Sequence, residues 1–239
     1  MKQTPGEYCF NSIGTVQSCY KQKFTIPRQP GLVPQAKASI LLDSKYNSED
    51  IVRGLEKYSH IWVIFVFHQS KIGSNKNTVR PPRLGGEQRM GVFATRSNYR
   101  PNPIGQSVVK LESVEMTNQQ IQINISGADI LDGSPVLDIK PYVPYADSVA
   151  EAKSSFASAP PEKIFNVSFD KVALEQLQMA EEKNGQSLGL FIENLLAYDP
   201  RPANSENKKQ YVTRIYDYDL KWHIRNNDLI VTALEKILS

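Results

Sequence analysis

The residues best suited to bind a small polar ligand lie in segments that combine turn-forming and charged residues. The longest, residues 91–105 (GVFATRSNYRPNPIG), carries Arg96 and Arg100, and a second, residues 130–142 (ILDGSPVLDIKPY), carries Asp132 and Asp138 around a glycine turn. Residues 27–31 (PRQPG) and the pair His68-Gln69 form two more. Each alone is ordinary turn chemistry. Four such segments at strand ends predict a shared rim, where Arg offers a planar fork of donors to carboxylates or phosphates.

The positive charge is concentrated in the same part of the chain. The formal net charge is only +3, yet residues 71–110 contain eight Lys or Arg and a single acid, Glu87. A local surplus of this kind, rich in Arg, Gly and Pro, is typical of a surface that contacts nucleic-acid phosphates. The alternative is a solvated basic loop.

Composition places the chain among ordinary globular proteins. It has 239 residues, 40% of them hydrophobic and 22% charged, which favours one or two domains. The longest apolar run, residues 61–67, is too short to cross a bilayer, and the N-terminus lacks an apolar signal region. We therefore expect a soluble, cytoplasmic protein that does not contact membranes. Cys9 and Cys19 are expected to be reduced thiols without a role, and no residues show metal-ligand spacing.

The apolar pattern predicts a mainly β N-terminal part. Short alternating or wholly apolar runs at residues 36–42, 61–67, 90–94, 107–114 and 121–125 are separated by turn residues. One short helix is expected after Ser48 or Asn47 as N-cap, with Ile51, Leu55 and Tyr58 at helical spacing. Many short strands without regular βα alternation favour a closed or nearly closed barrel.

A second, smaller domain is expected at the C-terminus. Residues 147–164 have the small, polar and proline-ended composition of a linker, so we place one domain at 1–146 and another at 165–239. The latter is predicted to be α+β, with helices over residues 172–183 and from Ser187, followed by β-rich segments at 211–218, 220–224 and 229–233.

Familiar catalytic motifs are missing from the sequence. A doubly wound methyltransferase or dehydrogenase would need a glycine-rich turn between a strand and a helix, followed by an acid. Neither this motif nor a P-loop nor a G-x-S-x-G segment is present.

Several strings, in this order and spacing, resemble the TrmO (TsaA-like) family: PRQPGL, HIWVIFVFHQ, RPPRLGG, GVFATRSNYRPNPIG, LDGSPVLDIKPY and DPRP. The resemblance covers residues 13–145 closely and continues into the C-terminal part. It implies a single-sheet β-barrel that binds S-adenosylmethionine without a Rossmann fold, commonly as a homodimer. The implied activity is methylation of N6 of threonylcarbamoyladenosine at position 37 of tRNA.

The resemblance also implies a cofactor site, which falls on Pro27, Arg28, Gln29, His68, Gln69, Arg96, Leu131, Asp132, Gly133 and Ser134. Within it, Arg28 or Arg96 could pair with the methionyl carboxylate, while Asp132 could accept from a hydroxyl or ammonium group.

The remaining assignments rest on residue type. Asp132, Asp138, Tyr142 and Asn102 are weak candidates for the group that removes the N6 proton. The basic segment is expected to contact the phosphates of the tRNA anticodon stem-loop through Arg80, Arg83, Arg89 and Arg100. Tyr99 could stack on an unpaired base. Arg201 could reach the rim or RNA, or simply cap carbonyls. Two alternatives stay open: a non-catalytic basic barrel that binds RNA or a nucleotide, and a methyltransferase with a small-molecule substrate.

Overall fold

The computed structural model of the chain describes residues 6, 8–70, 77–184, 187–201 and 210–237. Lys71 and Lys76, whose charges contribute to the basic segment, and Pro202 of the DPRP string lie outside these residues.

Six strands of the N-terminal part form one closed antiparallel barrel. Its order is β1-β2-β7-β6-β3-β8, and pairing of β8 with β1 closes it. The predicted mainly β barrel with a smaller α+β part is therefore confirmed. The barrel strands are β1 (Gly14–Ser18), β2 (Lys37–Leu42), β3 (His60–Val66), β6 (Ile104–Thr117), β7 (Gln120–Ser126) and β8 (Pro135–Pro141), and a separate two-stranded hairpin is formed by β4 (Thr78–Val79) and β5 (Met90–Gly91).

Alternation of side chains explains how the barrel fills its interior. Ile121, Ile123 and Ile125 of β7 are each 1% exposed, as the strict alternation with polar neighbours predicts. The wholly apolar run predicts a central or covered strand, and β3 indeed pairs on both edges, with β6 and with β8. Its Ile61, Val63 and Phe65 are buried, while the intervening residues are half-buried on the outside.

The C-terminal part packs helices against a second sheet. Four strands pair in the order β10-β11-β12-β9, with β9 parallel to β12. These strands are β9 (Asn166–Phe169), β10 (Tyr211–Ile215), β11 (Tyr218–Arg225) and β12 (Asp228–Lys236), and the four α-helices of the described chain are α1 (Glu49–Val52), α2 (Pro144–Asp147), α3 (Lys171–Asn184) and α4 (Leu188–Ala197). Within the described ranges, every helix is too short or too polar to span a lipid bilayer.

Two predicted elements are shorter in the structure. Ser48 caps α1 as expected, because its hydroxyl accepts from the backbone of Asp50, but the helix ends at Val52. Gly54 at φ 87° reverses the chain and a 3-10 turn follows. The predicted strand at 90–94 is only β5, since Val92–Ala94 form another 3-10 turn.

The two parts of the chain share a hydrophobic core that is separate from the core inside the barrel. Cys19, Tyr20, Val33 and Ala36, which follow β1 or precede β2, lie in the same buried cluster as the side chains of α3, α4 and the second sheet. Phe191 of α4 packs on Tyr20 with ring centroids 6.2 Å apart. The linker therefore joins parts that are also held together by apolar burial.

The shared core predicts that the Phe191→Ala substitution destabilises the chain by about 3–5 kcal/mol, because it opens a cavity between the two parts. Leu190→Ala is the matched control: Leu190 is 47% exposed on the same helix, so its truncation should cost under about 1 kcal/mol. Urea unfolding of the full chain measures both. Equal midpoints for the two variants would contradict the shared core.

Candidate functional site

One large cleft, of about 2020 Å³, lies at the rim of the barrel. Its walls come from the loops after β1 and β3, from the long segment between β4 and β6, and from the turn before β8. The linker residues 153–161 and the end of α4 form the remaining wall. A small-ligand pocket usually occupies ~300–1,000 Å³. This cleft therefore has room for two ligands side by side.

Side-chain contacts join the four segments identified in the sequence. The Arg96 guanidinium donates to Oε1 of Gln29 at 2.7 Å, which links residues 91–105 to residues 27–31. His68 Nδ1 lies 3.3 Å from the Ser134 hydroxyl, which links the end of β3 to the turn before β8. These contacts join the segments in two pairs, and all four segments line the same cleft, so the predicted common rim exists in the structure.

Most residues of the expected cofactor site line this cleft: Pro27, Arg28, Gln29, His68, Gln69, Arg96, Leu131 and Ser134. Asp132 and Gly133 do not. The Asp132 carboxylate accepts from the Ser18 backbone N–H at 2.8 Å and pairs with Lys21 at 2.8 Å, so it holds the turn to the chain after β1. Gly133, at φ 75°, supplies the conformation that this turn needs.

Like Asp132, the other three weak candidates for proton removal lie outside the lining of the cleft. Asp138 pairs with Lys140 at 2.8 Å and accepts from the Ile139 backbone, with nearly half of its side chain exposed. Tyr142 packs edge-on against His60 on the outside of the barrel, in a separate shallow groove. Asn102 is exposed, and its carbonyl accepts from the Ile104 backbone. The geometry of the cleft does not favour a catalytic role for any of them.

The cleft is strongly basic. Nine Lys or Arg side chains line it against two carboxylates, so it carries a surplus of positive charge that favours polyanions. All residues expected to contact RNA are among the lining: Arg80, Arg83, Arg89, Tyr99, Arg100 and Arg201.

Three of these arginines have close structural partners, whereas Arg89 makes a long contact of 3.4 Å to the Thr78 hydroxyl. Arg83 donates to the Ala159 carbonyl of the linker at 2.7 Å, and Arg100 donates to the Thr95 carbonyl at 2.7 Å within its own loop. Arg201 forms a forked pair with Asp199 at 2.7 and 2.8 Å, which raises the pKa of the guanidinium. Arg80 and Arg89 are exposed and are therefore the better candidates for phosphate contact.

The sequence interpretation missed several residues of the cleft. Phe24 and Phe93 line it with 64% and 78% of their surface exposed, which suits them to stack on flat rings. Asp129 also lines it, and its Oδ1 accepts from the Ser107 hydroxyl at 2.5 Å. The position of Asp129 between β7 and the turn at 131–134 could have indicated that it lines the cleft. The neighbouring acids Asp132 and Asp138 stand in similar positions in the sequence, so the pattern did not single out Asp129.

Two titratable groups of the cleft have shifted pKa values. Burial raises the pKa of Asp129 from 3.8 to about 6, although the Ser107 hydrogen bond and the charge of Arg96 oppose the shift. Burial, followed by the charge of Lys23, lowers the pKa of His68. At neutral pH Asp129 is thus mainly a carboxylate with raised basicity, and His68 is mainly neutral.

The side chains of the cleft match the chemistry of a charged nucleoside. Arg28 and Arg96 supply cations for a carboxylate, while Phe67 and Leu131 offer apolar surface for a base. The closed barrel and this cleft together define a mainly β protein with a large, basic cleft at its rim.

Comparison with known proteins agrees with this description. The family model described as tRNA-methyltransferase O N-terminal domain matches residues 15–148, and the TrmO C-terminal domain matches residues 162–237. The chain therefore belongs to the TrmO family, as the sequence resemblance predicted.

Individual relatives cover almost the whole chain. A tRNA (adenine(37)-N6)-methyltransferase of Escherichia coli strain K12 is 46% identical over 229 residues, covering 95% of this chain and 97% of the relative. A putative S-adenosylmethionine-dependent methyltransferase RcsF of Pseudomonas aeruginosa is 46% identical, covering 91% and 93%. The crystal structure of TrmO from Pseudomonas aeruginosa superposes with a TM-score of 0.81 at 39% identity, covering 97% and 99%.

The raised pKa of Asp129 predicts how its neutral replacement changes stability with pH. Between pH 4 and pH 6 the unfolded chain loses this proton first, so the wild-type fold loses stability as the pH rises. The Asp129→Asn variant has no carboxyl group at this position, so its stability does not fall with pH for this reason. We expect it to be more stable than wild type at pH 8 by at most about 3 kcal/mol, with no advantage near pH 4.

Glu112→Gln is the matched control for this measurement. Glu112 also accepts from a serine hydroxyl, that of Ser126 at 2.5 Å, but this hydrogen bond lowers its pKa. Its neutral variant should therefore lose stability at pH 8 relative to wild type. Urea unfolding at pH 4, 6 and 8 compares the two, and the same sign for both variants would show that the assignment of the Asp129 environment is wrong.

Proposed function

We propose that this chain transfers a methyl group from S-adenosylmethionine to N6 of threonylcarbamoyladenosine at position 37 of tRNA. The observation that carries the proposal is the convergence of four polar segments on one basic cleft that is large enough for a cofactor and a nucleotide. The activity named for the Escherichia coli relative and the cofactor named for the Pseudomonas aeruginosa relative support it.

The cofactor end of the cleft is proposed to lie around Gln29, Arg96 and Ser134. When bound, S-adenosylmethionine supplies an electrophilic methyl group on a sulfonium sulfur. Arg96, which Gln29 already orients, and Arg28 are placed to bind the methionyl carboxylate. The main contribution of the protein is to hold the methyl group and the accepting nitrogen close and aligned, since no covalent intermediate is required.

The RNA end is proposed to extend along the basic wall of the cleft. Arg80 and Arg89 would contact phosphates, and Phe24, Phe93 and Tyr99 would stack on bases. An anticodon loop presents unstacked bases that such side chains can hold outside the RNA helix. The target adenine could thereby enter the cleft from the loop.

The resemblance leads us to propose three further properties. The chain is divided into domains 1–146 and 165–239 with a linker between them, it forms a homodimer, and it acts in the cytoplasm. The ranges of the two family models support the division. Sedimentation equilibrium of the full chain tests the dimer.

The test of the proposed function is transfer of labelled methyl groups to tRNA. We expect label in tRNA that carries threonylcarbamoyladenosine and none in the same tRNA that lacks it. Binding of S-adenosylmethionine without transfer to either tRNA would favour a different substrate. Absence of both binding and transfer would leave only a basic barrel that binds RNA without chemistry.

Arg96→Ala tests the cofactor end. Loss of a charge-assisted hydrogen bond should weaken S-adenosylmethionine binding by about 10- to 100-fold, measured by titration calorimetry. Arg225→Ala is the matched control, because Arg225 lies at the end of β11 in the second sheet and does not line the cleft. Wild-type affinity in Arg96→Ala would remove this side chain from the site.

The salt dependence of tRNA binding tests the RNA end. Each neutralised phosphate releases counterions, so a rise from 50 to 200 mM salt should weaken wild-type binding by about tenfold or more. The Arg80→Ala, Arg89→Ala double variant should bind more weakly at 50 mM salt and respond to added salt with a slope smaller by roughly one to two. Filter binding measures both, with Arg225→Ala as control. A flat response of wild type would argue against phosphate contact.

A further inference from the structure

Asp129 occupies a position in the cleft that no other carboxylate shares. It follows the end of β7, and its Oδ1 accepts from the Ser107 hydroxyl of β6 at 2.5 Å. Among the described residues, the Ser107 hydroxyl is the side-chain donor to this carboxylate, and the backbone N–H of Asp129 itself also contributes a hydrogen bond. The two oxygens of a carboxylate offer about four lone-pair sites, so this carboxylate keeps acceptor capacity for a ligand of the cleft.

The other acids near the cleft are already engaged. Asp199, the second carboxylate of the lining, gives both oxygens to the guanidinium fork of Arg201. Asp132 gives one oxygen to the Ser18 backbone and the other to Lys21. Each would have to break a charge-assisted contact before it could take a proton from a substrate.

From this arrangement we infer that Asp129 is a catalytic residue that accepts the N6 proton of the modified adenine during methyl transfer. The inference rests on the proposed function. The N6–H bond gives its proton to Oδ2 of Asp129, and its electron pair stays on nitrogen. Nitrogen forms the new bond to carbon as the carbon–sulfur bond breaks and leaves its pair on sulfur. The carboxylic acid then releases the proton to water.

The surroundings of Asp129 suit this role. A base is most effective when its pKa lies near the working pH, and burial raises the pKa of Asp129 to about 6. The charged and titratable groups that act on it are Arg96, which opposes the rise, and Tyr20, whose own pKa Asp129 helps to raise. Tyr20 is thus neutral, and Arg96 keeps the carboxylate ionised at neutral pH.

His68 is the competing candidate for the proton acceptor. The Ser134 hydroxyl donates to the Leu131 carbonyl at 2.7 Å, so its contact with His68 uses the Nδ1–H as donor and leaves Nε2 as a free acceptor. Burial lowers the pKa of His68 and raises that of Asp129, so the two pKa values move toward each other and a pH profile alone does not separate the two groups. A substitution of Ser107 separates them, because its hydroxyl donates to Asp129, whereas the hydroxyl beside His68 is that of Ser134.

The first experiment compares single-turnover methyl transfer by wild type, Asp129→Asn and Glu112→Gln at saturating cofactor and tRNA. We expect Asp129→Asn to be slower by about 100- to 10,000-fold at pH 7.5, with cofactor affinity by calorimetry within about threefold of wild type. Glu112→Gln, which alters another serine–carboxylate pair of the barrel, should react at the wild-type rate. A wild-type rate in Asp129→Asn would overturn the inference.

The second experiment uses Ser107→Ala, which keeps the carboxylate but removes the donor that lowers its pKa. In the protein without ligands, the Asp129 carboxyl resonance, assigned by its loss in Asp129→Asn, should titrate at higher pH in Ser107→Ala. The acidic limb of the single-turnover rate should shift in the same direction. An unshifted limb together with a shifted resonance would assign the proton to another base, His68 first.

Failure of the proposed function has a different signature from failure of the inference. If wild type transfers no methyl group to the modified tRNA, the function and the role of Asp129 in it both fall. If wild type is active and Asp129→Asn matches it, the function stands and only the inference falls.

Discussion

The binding site depends on the closure of the barrel between its first and last strands. β8 returns to β1, where Gly14 pairs with Val136, and the turn before β8 is hydrogen-bonded to the same strand, since Gly133 donates to the Val16 carbonyl at 2.8 Å. Gly14 is required for the close approach of β1 to β2, because a Cβ there would lie 2.3 Å from the Leu41 carbonyl oxygen. Closure brings the turn at 131–134 beside the end of β3, at one rim.

Contacts within the rim then fix the loops relative to one another. Residues 27–31 are anchored by the Gly31 N–H, which donates to the Gly127 carbonyl at 2.8 Å, and by the Arg96 contact to Gln29. Asn98 donates to the Ser70 hydroxyl at 2.9 Å. Such contacts hold polar groups in place before a ligand arrives, which lowers the entropic cost of binding.

Local periodicity was enough to predict much of the fold. The alternation of Ile121, Ile123 and Ile125 predicted β7, and Leu188, Phe191, Ile192, Leu195 and Leu196 predicted the buried face of α4, all of which the structure confirms. β9 was missed, because its four residues lie beside a linker-like stretch and acquire their pairing only from β12. Local pattern carries no information about such a long-range partner.

The site was predictable by segment but not by side chain. Polar turns at strand ends indicated the rim, whereas the separation of Asp129 from Asp132 depends on which carboxylate forms an ion pair. Asp132 pairs with Lys21, while Asp129 lines the cleft and accepts from Ser107 of β6. The position of Ser107 follows from the register of β6 against β3, which aligns Ser107 with Val63. Strand register is a property of the folded sheet and cannot be read from one segment alone.

The common core of the two parts has a consequence for shortening the chain. Tyr20, Val33 and Ala36 belong to loops of the barrel, yet their burial is completed by side chains such as Phe191 and Leu196. A chain that ended at the linker would expose these apolar side chains next to residues 27–31. An exposed apolar patch favours aggregation, and the loop that carries Arg28 would lose part of its packing. The C-terminal part thus shields the apolar side of this loop from water and supports one wall of the cleft.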